Sequence, residues 1–171
     1  MNVVITLPKT LIEAILWGEK SFEIRSKLPL HFDEKKDVVF VVQKGTKEIP
    51  IYFTIKTFYG YSILEDVNSI LAKHAFVPYS FIEKYRQSKK RVYAWVIGCA
   101  CKVSCPSDLY NDLKIAKNPQ SFIYRDYEWR QVQFKSFVWL TKPKNALTTL
   151  KPTIEYDHYM RSLSSAKPSH V

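Results

Sequence analysis

Gly18-Glu19-Lys20-Ser21-Phe22-Glu23-Ile24-Arg25 is the stretch on which the fold turns. Ahead of it, residues 7–17 (LPKTLIEAILW) set Leu11, Ile12, Ile15 and Leu16 at helical spacing, and Pro8 suits a first helical turn. Gly18 supplies the stop, since a helix commonly ends on a residue with positive φ. Beyond it the period changes to two. Phe22 and Ile24 share one face of an extended run, and Ser21, Glu23 and Arg25 share the other. A helix that breaks at glycine into a strand with one apolar and one polar face predicts an α+β domain, with charged side chains projecting from a sheet wall.

The rest of the chain supplies more strands than helices. Residues 37–43 (DVVFVVQ) form a β-branched run too short for a typical helix, and Gly45 marks the turn after it. Residues 49–59 (IPIYFTIKTFY) read as the next strand, with Pro50 near its start. Two short helices follow at 62–74 and 79–88, parted by Val77 and Pro78; they carry Ile63, Val67, Ile70 and Leu71, then Phe81, Ile82 and Tyr85. Residues 91–103 form the longest strand candidate, with Gly98 at a bend or bulge. After a loop and short helix over 106–118 come a short strand at 119–124 and a last strand at 132–140. Five or six strands with few intervening helices predict a small mixed β-barrel flanked by short helices, closure being one way to remove exposed edges. The expected division is a domain over 1–155 and a C-terminal tail over 156–171, whose SSAKPSHV ending lacks apolar anchors.

Composition narrows the partner. The chain has 171 residues, 46% of them apolar and 15% aromatic, enough for one packed core. No apolar run approaches the roughly 20 residues that span a bilayer, and the first residues lack the pattern of a secretory signal, so no membrane association and a cytoplasmic location are expected. A net charge of +10 with many aromatic rings points to a polyanion: cations attract phosphates and rings stack on bases. Lys84, Arg86, Lys89, Lys90 and Arg91 cluster in KYRQSKKR, as a phosphate track or as a solvated helix end. Cys99, Cys101 and Cys105 are odd in number and have no histidine nearby in sequence, which argues for free buried thiols and against a disulfide framework, a metal or another cofactor. His31 and His74 read as surface residues.

The helix followed by Gly18-Glu19-Lys20-Ser21-Phe22-Glu23-Ile24-Arg25 resembles the signature of the ASCH family, in the PUA-like superfamily, where Gly-x-Lys-x-x-Glu-x-Arg leads into a barrel strand. Asn118-Pro119-Gln120-Ser121-Phe122-Ile123-Tyr124 is similar to the Pro-Pro-Gln-Ser-aromatic segment of phage and prophage members, with Asn118 in place of the first proline. The resemblance spans roughly residues 3–140 and implies a cleft that binds RNA or a nucleotide, lined by Lys20, Ser21, Glu23, Arg25, Ser121 and Tyr124. Arg25 suits a phosphate or carboxylate, Glu23 a base edge, and an aromatic ring a stacked base. A structural Glu23–Arg25 ion pair and a core Phe122 fit the same pattern.

Catalysis is a second reading of that cleft. The amidohydrolase branch of the family places a threonine nucleophile three positions after its lysine, where this chain has Glu23. Metal-independent RNA cleavage needs a base near the 2′-hydroxyl and a cation on the phosphate, roles for which Lys20, Glu23, Ser121 and Tyr59 are the candidates. A protein-interaction module anchored by Trp129 and Trp139 is the third.

Overall fold

A computed structural model describes residues 1–128. Their elements run β1 (Asn2–Leu7), α1 (Lys9–Leu16), β2 (Phe22–Arg25), β3 (Val39–Gln43), β4 (Ile51–Ser62), α2 (Asn68–Ala75), α3 (Tyr79–Gln87), β5 (Arg91–Lys102), α4 (Pro106–Asp112) and β6 (Phe122–Arg125). The strands form one six-stranded sheet in the order β2-β5-β4-β3-β1-β6. Only β1 and β3 run parallel, with Val3 opposite Val39; the other neighbours are antiparallel. The α+β class and mixed sheet match expectation. The pairing does not close into a barrel, because β2 and β6 remain as edges among the described residues. The expected strand at 132–140, Trp129, Trp139 and the tail over 156–171 lie outside the described residues.

Alternation divides the sheet between three apolar clusters. Val3, Ile5, Val39, Val41, Phe53, Trp95 and Ile97 face α1 and pack on Ile12 and Ile15. Val4, Phe40, Val42 and Tyr52 point the other way, onto Leu109, Tyr110 and Leu113 around α4. Phe22, Tyr59, Tyr61, Val92 and Val96 meet Leu71, Ala75 and Ile82 of α2 and α3. A strand covered on both faces reads as a continuous apolar run, and β1 is such a strand. The sequence reading places no strand at residues 2–7, yet β1 sits between β3 and β6 with five of its six residues buried.

Three local features follow from named residues. Gly18 takes φ +74° and ends α1, as expected, and the Glu19 and Lys20 amides then donate to the Ala14 carbonyl. The expected helix at 62–74 begins only at Asn68, because β4 runs on to Ser62. A turn follows, held by Glu65 Oε1 accepting the Ser62 amide at 2.7 Å, and it leaves Leu64 92% exposed. Gly98 lies beside two register shifts of β4, and a Cβ there would come within 2.6 Å of Thr54 Oγ1.

Candidate nucleotide-binding cleft

The turn from α1 into β2 brings Lys20, Glu23 and Arg25 together. Lys20 and Glu23 are almost wholly buried, at 3% and 5% exposure. Lys20 Nζ donates to the Phe22 carbonyl at 2.6 Å and the Ala75 carbonyl at 3.1 Å, and it meets Glu23 Oε2 at 3.0 Å. All three ammonium protons therefore have acceptors within the fold. Glu23 Oε1 accepts from Arg25 Nε at 2.8 Å, and Arg25 Nη1 donates to the Ser121 carbonyl at 2.9 Å. Arg25 Nη2 has no protein partner among the described residues.

Charge compensation fixes the protonation of this row. Burial would raise the Glu23 carboxyl, but Lys20 and then Arg25 outweigh it and hold it below the ordinary carboxylate value. Burial pushes the Lys20 ammonium down, with Glu23 opposing. A carboxylate between two cations stays ionised, and the row as a whole presents one net positive charge, at Arg25.

Beside this row lies a cleft of about 520 Å³ between the start of α1, β2 and the α2–α3 turn. Lys20, Glu23, Arg25 and Lys44 line it, three cations against one carboxylate. Its aromatic wall is Phe76, Phe81 and Tyr85. Phe76 and Phe81 are 47% and 56% exposed, unusual for phenylalanine. Phe76 also ends α2 with φ 56° and ψ 47°, a left-handed conformation that a β-carbon disfavours. The rings of Phe81 and Tyr85 stack 6.2 Å apart at 5°, and Lys89 Nζ sits 5.9 Å from the centre of the Tyr85 ring. The sequence reading takes Phe81 and Tyr85 as the apolar stripe of a helix and does not single out Phe76 or Lys44. The sequence carries no signal that separates them, since Phe81, Ile82 and Tyr85 share one helix face and of the three only Ile82 is buried.

The other expected site residues lie elsewhere. Ser121 is exposed and meets the row only through its backbone carbonyl. The Tyr124 hydroxyl accepts from the His31 amide at 3.3 Å, and its ring packs on His31 and Phe122. Phe122 itself packs against the core, by Trp95, as the core reading has it. Tyr59 is buried on the α2–α3 face. Ser21 is buried, with its Oγ 3.0 Å from His74 Nδ1. His74 is thus a packed partner and not a free surface residue; its ring lies 4.7 Å from that of Phe22 at a tilt of 33°, and burial, then Lys73, lower its pKa.

In the basic segment, Lys84 and Lys90 are exposed and Lys89 half-buried. Arg86 does not belong to a solvent-facing patch: it is 4% exposed and donates to Asn68 Oδ1 and the Ser62 and Glu65 carbonyls. Arg91 is half-buried at the start of β5. The expectation of buried thiols fails: Cys99 near the end of β5 and Cys105 before α4 are exposed and Cys101 is half-buried, and all three are free of disulfides. Among the described residues no group of three or more His, Cys, Asp or Glu is placed to hold a metal. Among the same residues no helix is long and apolar enough to cross a membrane.

Comparison with known structures defines a class. The fold matches crystal structures of the ASCH protein of Zymomonas mobilis. That protein itself aligns with TM-score 0.59 and 16% identity over 74% of this chain and 89% of that one. A serine-to-alanine variant aligns with TM-score 0.62 and 15% identity over 74% and 89% of the two chains. A tyrosine-to-phenylalanine variant aligns with TM-score 0.58 and 17% identity over 74% and 91%. The chain therefore has an ASCH-like fold. No protein-family model matches the sequence, and a search of curated proteins gives no match.

Proposed function

We propose that this chain is an ASCH-type, PUA-like module that binds RNA or a nucleotide-like ligand in the cleft beside β2. The observation that carries this reading is the pairing of Arg25 with the exposed ring of Phe76 across one cleft. A guanidinium edge with protons to spare takes a phosphate, while a ring at the same mouth offers a base its face. Lys20 and Glu23 form the floor that fixes Arg25. The incomplete strand pairing is consistent with a barrel-like wall whose β2–β6 seam is bridged by Arg25. Affiliation with the phage and prophage branch rests on the Asn118 to Tyr124 segment.

Binding is favoured over hydrolysis by the state of the candidate catalytic groups. The Lys20 ammonium has no proton uncommitted, Tyr59 is buried in the α2–α3 core and is not among the residues lining the cleft, and Ser121 meets the row through backbone alone. The test is anisotropy of a short labelled single-stranded RNA at about 50 and 200 mM salt. Binding that weakens with salt and falls about fivefold to a hundredfold in Arg25→Ala is expected. Equal affinity of Arg25→Ala and the unaltered chain would refute the site, and cleavage in chelator lost in Lys20→Met would restore the hydrolase.

A further inference from the structure

The cleft does not end at its own wall. Phe81 and Tyr85 stand four residues, about 6 Å, apart along α3, and Lys89 follows at the same sequence spacing just past the C-cap Ser88. The first two rings stack at 5°, and the third side chain lays its ammonium over the second ring. Phe81 and Tyr85 line the cleft, whereas Lys89 is not among its lining residues. Lys84 and Lys90 are exposed on the same segment. The row thus begins inside the cleft and leaves it toward cations.

We propose that α3 and the lysines after it form a second subsite, so that the ligand of this protein is a single-stranded oligonucleotide and not an isolated nucleotide. This rests on the cleft reading above and extends it. A nucleotide held at Arg25 and Phe76 sends its chain along α3. The next base meets the exposed face of Phe81, and the phosphate beyond it meets Lys89, with Lys84 and Lys90 adding to the field. Stacking is indifferent to base identity, so this subsite adds affinity with little sequence preference. The charge favours this occupant over an apolar peptide: the row runs from two stacked rings to an ammonium group, and none of its three members is a carboxylate.

The experiment is a length series of labelled RNA (two, four and eight nucleotides) with a mononucleotide as competitor, on the unaltered chain and on Lys89→Ala. Lys89 is partly exposed and bridges no carboxylate among the described residues, so its removal should leave the fold intact. At least about a fivefold gain in affinity from mononucleotide to tetranucleotide is expected. In Lys89→Ala that gain shrinks, the slope of log affinity on log salt falls by about 0.7, and mononucleotide affinity is unchanged. A mononucleotide that binds as tightly as the tetranucleotide overturns the second subsite and leaves the cleft standing. An equal loss for both ligands in Lys89→Ala also overturns it, by placing Lys89 in the first site. Failure of every nucleotide to bind at low salt removes the cleft reading itself, and the extension falls with it. Displacement of the RNA by an apolar peptide but not by a second oligonucleotide would give the row to a protein partner.

Discussion

The Arg25 guanidinium of β2 reaches the Ser121 carbonyl at 2.9 Å, joining positions 96 residues apart in sequence. Among the described residues β2 and β6 are the two edges of the sheet, so this side chain spans a gap that strand pairing leaves open there. Its Nε is held by Glu23 at 2.8 Å, and Glu23 is held in turn by Lys20 at 3.0 Å. The guanidinium is thereby aimed before any ligand arrives, which lowers the ordering cost of binding.

Arg25→Lys should separate charge from geometry. An ammonium keeps the cation but cannot bond Glu23, Ser121 and a ligand in one plane. RNA affinity is expected to fall about as far as in Arg25→Ala, while the salt dependence stays near that of the unaltered chain. Anisotropy across a salt series reads both. Full affinity in Arg25→Lys would show that only charge is needed.

Glu23→Gln should be costly and should change the acid limb of stability. Neutralising the carboxylate leaves the buried Lys20 ammonium without its counter-charge, a loss of about 3–5 kcal/mol for breaking a buried pair. Because the folded carboxyl titrates below its ordinary value of 4.5, its contribution is full above that pH and is lost as pH falls through the lower folded value. Urea denaturation from pH 7 to pH 2 should give a steeper acid decline for the unaltered chain than for Glu23→Gln. Parallel curves would mean that the pair contributes no linkage.

The contrast between Phe22 and Phe76 explains how much was legible. Around Phe22, local signals agree: glycine ends a helix, and the next residues alternate strictly, so helix, strand and polar face can all be read. Phe76 owes its exposure to α2 ending in a left-handed residue just before Pro78, a tertiary outcome with no local apolar period. β1 was hidden for a related reason. Its partner β3 begins some 36 residues later, and parallel pairing leaves no hairpin turn to mark it. Arg86 in KYRQSKKR has the look of its neighbours and is set apart from them by the Ser62 and Glu65 carbonyls and the Asn68 side chain, all distant in sequence.

Gly98→Ala should destabilise through one contact. The added Cβ would lie 2.6 Å from Thr54 Oγ1 and 3.3 Å from the Thr54 carbonyl, and that hydroxyl oxygen accepts the Cys99 amide at 2.9 Å. Overpacking of this kind costs about 1–3 kcal/mol. Combining it with Thr54→Ala removes the nearer obstacle, so the double variant should lose less than the two single losses added together. Additive losses in urea midpoints would show that the backbone carbonyl is the obstacle.

Phe76→Gly should raise stability and lower affinity together. Glycine relieves a left-handed conformation that costs other residues about 1–2 kcal/mol, offset in part by about 0.4–1 kcal/mol of unfolded-chain entropy. A net gain of between zero and about 1.6 kcal/mol is expected in thermal or urea unfolding. In the same variant RNA binding should weaken about fivefold or more, as for loss of a stacked base. A stability gain without loss of binding would free Phe76 from the ligand.

Arg86→Ala supplies the opposite pattern. Its buried guanidinium joins the β4–α2 turn to α3 through the Ser62 and Glu65 carbonyls and Asn68, each a charge-assisted bond of about 1.5–3 kcal/mol. Removing it should lower the urea midpoint substantially and loosen α3, whereas Lys89→Ala should leave the midpoint almost unchanged. Measured well below its own unfolding transition, Arg86→Ala should keep the salt slope of RNA binding, because its charge faces carbonyls and not a phosphate. A reduced slope at full folding would return Arg86 to the interface. To meet a phosphate, the Arg86 guanidinium would first have to abandon the Ser62 and Glu65 carbonyls that it holds.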